Sequence, residues 1–176
     1  VITYTYSISP ADRCELEIIW GDGNTGIIPR VNGEPGVTPG GFFCEHTGEI
    51  VDELIRKNVY QSQHTFASAG DYLISVEDPN RNYGVINIPN SVNIPLYVDT
   101  RLLINPFVGT NNSPQLLLPP IDKGCVGHPF LHNPGAYDPD GDSLAYELVS
   151  CRGATGLEIP GYTLPEASNS FTINEI

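Results

Sequence analysis

Three carboxylates stand within five residues in the run Asp138-Pro139-Asp140-Gly141-Asp142-Ser143. Charges this close repel one another unless they are solvated, protonated, hydrogen-bonded or bound to a cation. A dense set of hard oxygen donors suits calcium, which takes six to eight of them. The loop is not an EF-hand, because counting from Asp138 puts glycine at the fourth position, Gly141, and Val149 at the twelfth. The other reading is a turn whose aspartates accept backbone N–H groups. His128 and His132 are a second pair of candidate ligands, for zinc. Pro129 and Pro134 exclude the helix that would bring an i, i+4 pair together, so both histidines read as surface or strand-edge residues. No G-x-S-x-G nucleophile motif occurs, and no carboxylate pair stands out in an apolar setting. The expectation is a protein that is not an enzyme.

These residues must be positioned by short strands. The 176 residues include 18 glycines and 16 prolines, which punctuate the chain too often for long helices. Eight basic against 21 acidic residues give a formal charge of −13, which repels phosphate backbones and anionic headgroups. Nucleic acid is therefore not an expected partner. No apolar run is long enough for a membrane span and no secretory leader opens the sequence. With no methionine, the chain reads as a piece of something longer.

In chain order, Ile2 to Ile8 alternates β-branched and aromatic residues with polar ones, and Leu16 to Trp20 runs as a strand into the turn Gly21-Asp22-Gly23-Asn24. Trp20 and Tyr72 are expected in the core, and Asp22 is expected to bond its own backbone in the turn. Thr25 to Val31 is a return strand that Pro29 confines to an edge. A loop follows, then the only good helix candidate, with Thr47 as N-cap, Glu49 in the first turn, and Ile50, Val51, Leu54 and Ile55 on one face. Loop and helix form an insertion over about residues 32–60, either a lid over a sheet edge or a binding surface. Tyr72 to Val76 is a strand, residues 85–98 bend or run along an edge, and Arg101 to Ile104 completes the domain. The stretch 105–114 is the best linker. Beyond it Leu144 to Leu148 alternates like a strand.

The motif Trp20-Gly21-Asp22-Gly23 followed by His64-Thr65-Phe66 and Gly70-Asp71-Tyr72 resembles the PKD domain, an immunoglobulin-like β-sandwich of surface and secreted proteins. The run Tyr137-Asp138-Pro139-Asp140-Gly141-Asp142, leading to Tyr146, resembles the strand-turn-strand of cadherin-like domains, and Phe171-Thr172-Ile173-Asn174 is similar to a later strand of that family. The resemblance implies an all-β fold of tandem immunoglobulin-like sandwiches with one inserted helix. Residues 1–106 would be PKD-like and 113–176 a partial cadherin-like domain. It also implies Asp138 and Asp140 as calcium ligands, Asp142 as a further candidate, and Asp99, Asn111 or Asn112 as contributors.

The order of these motifs is similar to that in large surface proteins of gliding bacteria. A non-catalytic extracellular structural or adhesion module follows, with protein or polysaccharide partners at the cell surface. The alternative is a carbohydrate- or protein-binding accessory domain of a secreted hydrolase.

The four cysteines show no zinc or redox spacing. Three pairings are open to them. If the chain is two domains, the local pairs Cys14–Cys44 and Cys125–Cys151 each close a loop within one domain, in an oxidising, extracellular compartment.

Overall fold

The computed structural model describes residues 1–109, 111–121, 125, 127, 128, 133 and 135–164. The chain is all-β, with its strands in several antiparallel sheets. In order they are β1 (Ile2–Tyr6), β2 (Glu15–Ile19), β3 (Thr25–Pro29), β4 (Gly36–Val37), β5 (Phe43–Cys44), β6 (Glu49–Asp52), β7 (Ile55–Val59), β8 (Gly70–Asp78), β9 (Leu96–Ile104), β10 (Gln115–Leu116) and β11 (Ala136–Tyr137). A four-stranded sheet has the order β3-β2-β8-β9 and a three-stranded sheet the order β1-β7-β6. β4 pairs with β5, and β10 with β11. Among the described residues no helix is long and apolar enough to cross a membrane.

Two compact units result. One comprises Val1–Asn105 with the described part of Val149–Phe171, and the other is built on Pro106–Leu148. In the first, β2 alternates as its sequence demands: Leu16 and Ile18 are buried, while Glu15, Glu17 and Ile19 face out. Leu16 and Ile18 join Ile28, Tyr60 and Val76 in the core, with Trp20 and Ile74 packed against it. Pro29 ends β3 on the sheet edge, where a missing N–H costs no ladder bond.

The expected helix after Thr47 is instead the hairpin β6–β7. Gly48 adopts φ +78°, and a Cβ there would lie 2.3 Å from the Asn58 amide oxygen, so the chain reverses where a helix would begin. Arg56 and Asn58 both turn inward, a period of two that only a strand provides. Nor is 32–60 an inserted lid, because β7 is the central strand of its sheet and pairs with all five residues of β1.

The inward face of that sheet is polar. Asn58 donates to Thr5 Oγ1 at 3.1 Å, and its own oxygen accepts from Arg30 at 2.6 Å. The same Arg30 Nη1 donates to Asp12 at 2.9 Å, and Arg56 reaches the other Asp12 oxygen at 3.1 Å. Arg30 also donates to the Arg13 carbonyl at 2.6 Å, and Arg56 to the Thr47 carbonyl at 2.6 Å. Two guanidiniums thus share one buried carboxylate.

The second expected domain, 113–176, also differs. The described part of Val149–Phe171 belongs to the first unit. Arg152 forks onto Asp99 at 2.7 Å and lies 5.2 Å over the Tyr97 ring, Thr155 N–H donates to Glu77, and Ile159 is buried. Residues 144–148 form no strand, because alternation needs a neighbour to bond, and the second unit's only described ladder is the two pairs of β10–β11. The Phe171–Asn174 motif and His132 lie outside the described residues.

Candidate functional site

The two motifs around Trp20 and His64 meet at one end of the four-stranded sheet. Trp20 N–H donates to the Asn24 carbonyl at 3.0 Å and closes the turn. Asp22 sits inside it, one oxygen taking the Asn24 N–H at 3.0 Å and the other the His64 Nε2 proton at 2.8 Å. His64 stacks on the Trp20 indole, with centroids 4.6 Å apart and planes 10° apart, and Phe66 stands edge-on to His64 at 4.7 Å. Phe66 then packs on Tyr72 at 4.4 Å. Trp20 and Tyr72 are half-buried rather than deep in the core: Trp20 caps the end of the core and Tyr72 bonds the Ser68 carbonyl at 2.9 Å.

An Asp–His pair can orient an imidazole for proton transfer. Here the pair clamps the turn, with His64 and the Asn24 N–H each holding one Asp22 oxygen. His64, then Asn24, holds the Asp22 carboxyl down at about 2, against an ordinary 3.8. Asp22 therefore adds stability that is complete above its ordinary value and lost as pH falls through about 2. Melting temperature measured across this acid range is expected to slope less steeply in Asp22→Asn than in the unsubstituted chain. Parallel slopes would remove the clamp.

In the aspartate loop, Asp138 is buried and its Oδ1 accepts the Asp140 N–H at 2.9 Å and the Asp142 N–H at 3.3 Å. Asp140 takes the Asn112 N–H at 2.5 Å and its side-chain amide at 2.9 Å, and these bonds hold its carboxyl below the usual carboxylate range. Asp142 is exposed, Asn111 bonds Asn112 rather than an aspartate, and Asp99 belongs to Arg152. Among the described residues no three His, Cys, Asp or Glu side chains gather as a metal site. Melts in calcium, magnesium and chelator separate the two readings of the loop: superimposed curves are expected of a hydrogen-bonded turn, and a calcium-specific rise of a few degrees, lost in Asp140→Asn, of an ion site.

The third feature is the β4–β5 hairpin, which the sequence presented only as a long loop. Thr38 is buried and ties the tip, its N–H to the Phe42 carbonyl at 2.8 Å and its Oγ1 to the Phe42 N–H at 3.3 Å. Gly40 lies so close to the Pro10 carbonyl that a Cβ would sit 2.3 Å from it. A disulfide, Cys14–Cys44, closes the base across a separation of 30 residues. Val37, Phe42 and Phe43 nevertheless stay 66, 64 and 69% exposed.

Cys125 and Cys151 are not bonded. Cys125 lies in the second compact unit and Cys151 in the first. His128 is exposed. Comparison with protein families, with characterised proteins and with solved structures finds no match for this chain.

Proposed function

We propose that this chain is a non-catalytic structural and adhesive module of a larger secreted or cell-surface protein, built on an immunoglobulin-like β-sandwich. The observation that carries the reading is the disulfide-held hairpin. Its backbone is fixed by Thr38, Gly40 and Cys44, while Val37, Phe42 and Phe43 face solvent. Apolar side chains on a rigid loop gain nothing for the fold and supply contact area at low entropic cost to a partner. The sandwich reading has separate support. The Tyr72 hydroxyl bonds back to the backbone four residues upstream, as a tyrosine corner does in immunoglobulin-like domains. An oxidising compartment is consistent with the Cys14–Cys44 bond.

The test is retention of beads carrying the chain on cell surfaces and on arrays of extracellular glycans. Binding is expected to fall at least about tenfold in Phe42→Ser/Phe43→Ser, with melting temperature unchanged, since surface changes seldom alter stability by more than about 0.5 kcal/mol. Retention that survives the double substitution would move the partner surface elsewhere, and no retention at all would leave only a spacer. Glycan binding would favour the accessory-domain reading, in which the phenylalanines serve as an aromatic platform.

A further inference from the structure

We propose that Cys14 is the site at which small thiols open the Cys14–Cys44 bond, and that Cys44 is the leaving sulfur, stabilised as a thiolate by the buried Arg30 guanidinium. Two independent observations carry this, and neither depends on the hairpin's partner. The first is access. Cys14 is half-exposed, whereas Cys44 is 2% exposed, so a thiolate from solvent meets Cys14 Sγ first.

The second is charge. Arg30 Nη2 stands 3.6 Å from Cys44 Sγ, and the Arg30 side chain is fully buried. Arg30 and Arg56 bring two positive charges to the single carboxylate of Asp12, so the cluster carries one unbalanced positive charge beside Cys44. Arg30 Nε is also buried without a hydrogen-bond partner. A sulfur that becomes negative at this point is favoured by that charge, and a thiol whose acidity rises leaves faster.

The step balances as an ordinary exchange. The incoming thiolate bonds to Cys14 Sγ, and the electron pair of the Cys14–Cys44 bond passes to Cys44 Sγ. The products are a mixed disulfide on Cys14 and a thiolate on Cys44. A second thiol, as thiolate, attacks the reagent's sulfur, freeing Cys14 as a thiolate and leaving the oxidised reagent. The base of the β4–β5 hairpin is then open, with the guanidinium holding the Cys44 anion in place for reclosure.

The experiment uses the whole chain with Cys125 and Cys151 first blocked by N-ethylmaleimide. Limiting reduced glutathione is added, the mixture is quenched in acid, and newly freed thiols are alkylated before digestion and mass analysis. Glutathione on Cys14 with the alkyl label on Cys44 is expected in about tenfold or greater excess over the reverse. An even distribution, or glutathione on Cys44, would overturn the assignment. A second measurement isolates the guanidinium. In Cys14→Ser/Cys125→Ser/Cys151→Ser, Cys44 is expected to show thiolate ultraviolet absorbance at neutral pH. A protonated thiol there would remove Arg30 from the proposal.

Discussion

Replacing Asp12 by alanine is expected to destabilise the chain by about 3–5 kcal/mol, because it strips the carboxylate from two guanidiniums that remain buried. Arg30 is fully buried, and Arg56 is 14% exposed at the side chain. Neither can swing out to water without breaking its bonds to the Arg13 and Thr47 carbonyls. Arg30→Met should cost less. It leaves Asp12 and Arg56 as a one-to-one pair with no uncompensated buried charge, and the lost donors leave only two neutral acceptors, on Asn58 and the Arg13 carbonyl, at the low end of the cost of an unsatisfied group, about 1 kcal/mol each. Urea melts of the two variants decide the order. Since whole domains are stable by only about 5–15 kcal/mol, Asp12→Ala should lower the midpoint by at least about a fifth with an unchanged slope. An Asp12→Ala midpoint above that of Arg30→Met would mean that the unbalanced charge inferred beside Cys44 is compensated.

The apolar pattern carried most of what could be read in advance. Leu16, Ile18 and Val76 announced themselves by alternation, and Pro29 announced an edge. The meeting of the Trp20 and His64 motifs was legible because glycine, aspartate and aromatics at those spacings have few other uses. The polar interior of the β1-β7-β6 sheet was hidden for the opposite reason. Thr3, Thr5, Arg56 and Asn58 alternate correctly for a buried face, yet their side chains belong by type on the surface. With that face misread, Ile50, Val51, Leu54 and Ile55 left an apolar stripe that suits a helix equally well, and the reversal at Gly48 decided against it.

The candidate sites divide along the same line. Asp138 and Asp140 were conspicuous as carboxylates, but local spacing does not tell which groups their oxygens meet, and the donors from Asn112, 28 residues before Asp140, left no local signal. The return of Arg152 to Asp99 and Tyr97 left no local signal at all. Phe42 and Phe43 looked like ordinary loop residues until the disulfide and the Gly40–Pro10 approach showed that the loop is rigid.

Removing the disulfide should be the other large effect. Cys14 and Cys44 lie 30 residues apart, and loop-closure entropy for that separation gives about 3–4 kcal/mol, so Cys14→Ala/Cys44→Ala is expected to lower the melting temperature by roughly 6–16 °C. A chain reduced by excess dithiol should melt at nearly the same temperature as the double variant. The decisive comparison is the double variant with and without dithiol. Cys125 and Cys151 are unbonded in separate units, so the reductant should leave its melt unmoved. A further drop on reduction would mean that a second bond forms in solution and ties the two units together. An unmoved melt would localise the whole redox sensitivity of the fold to the clamp at the base of the hairpin, where Arg30 and Cys44 meet.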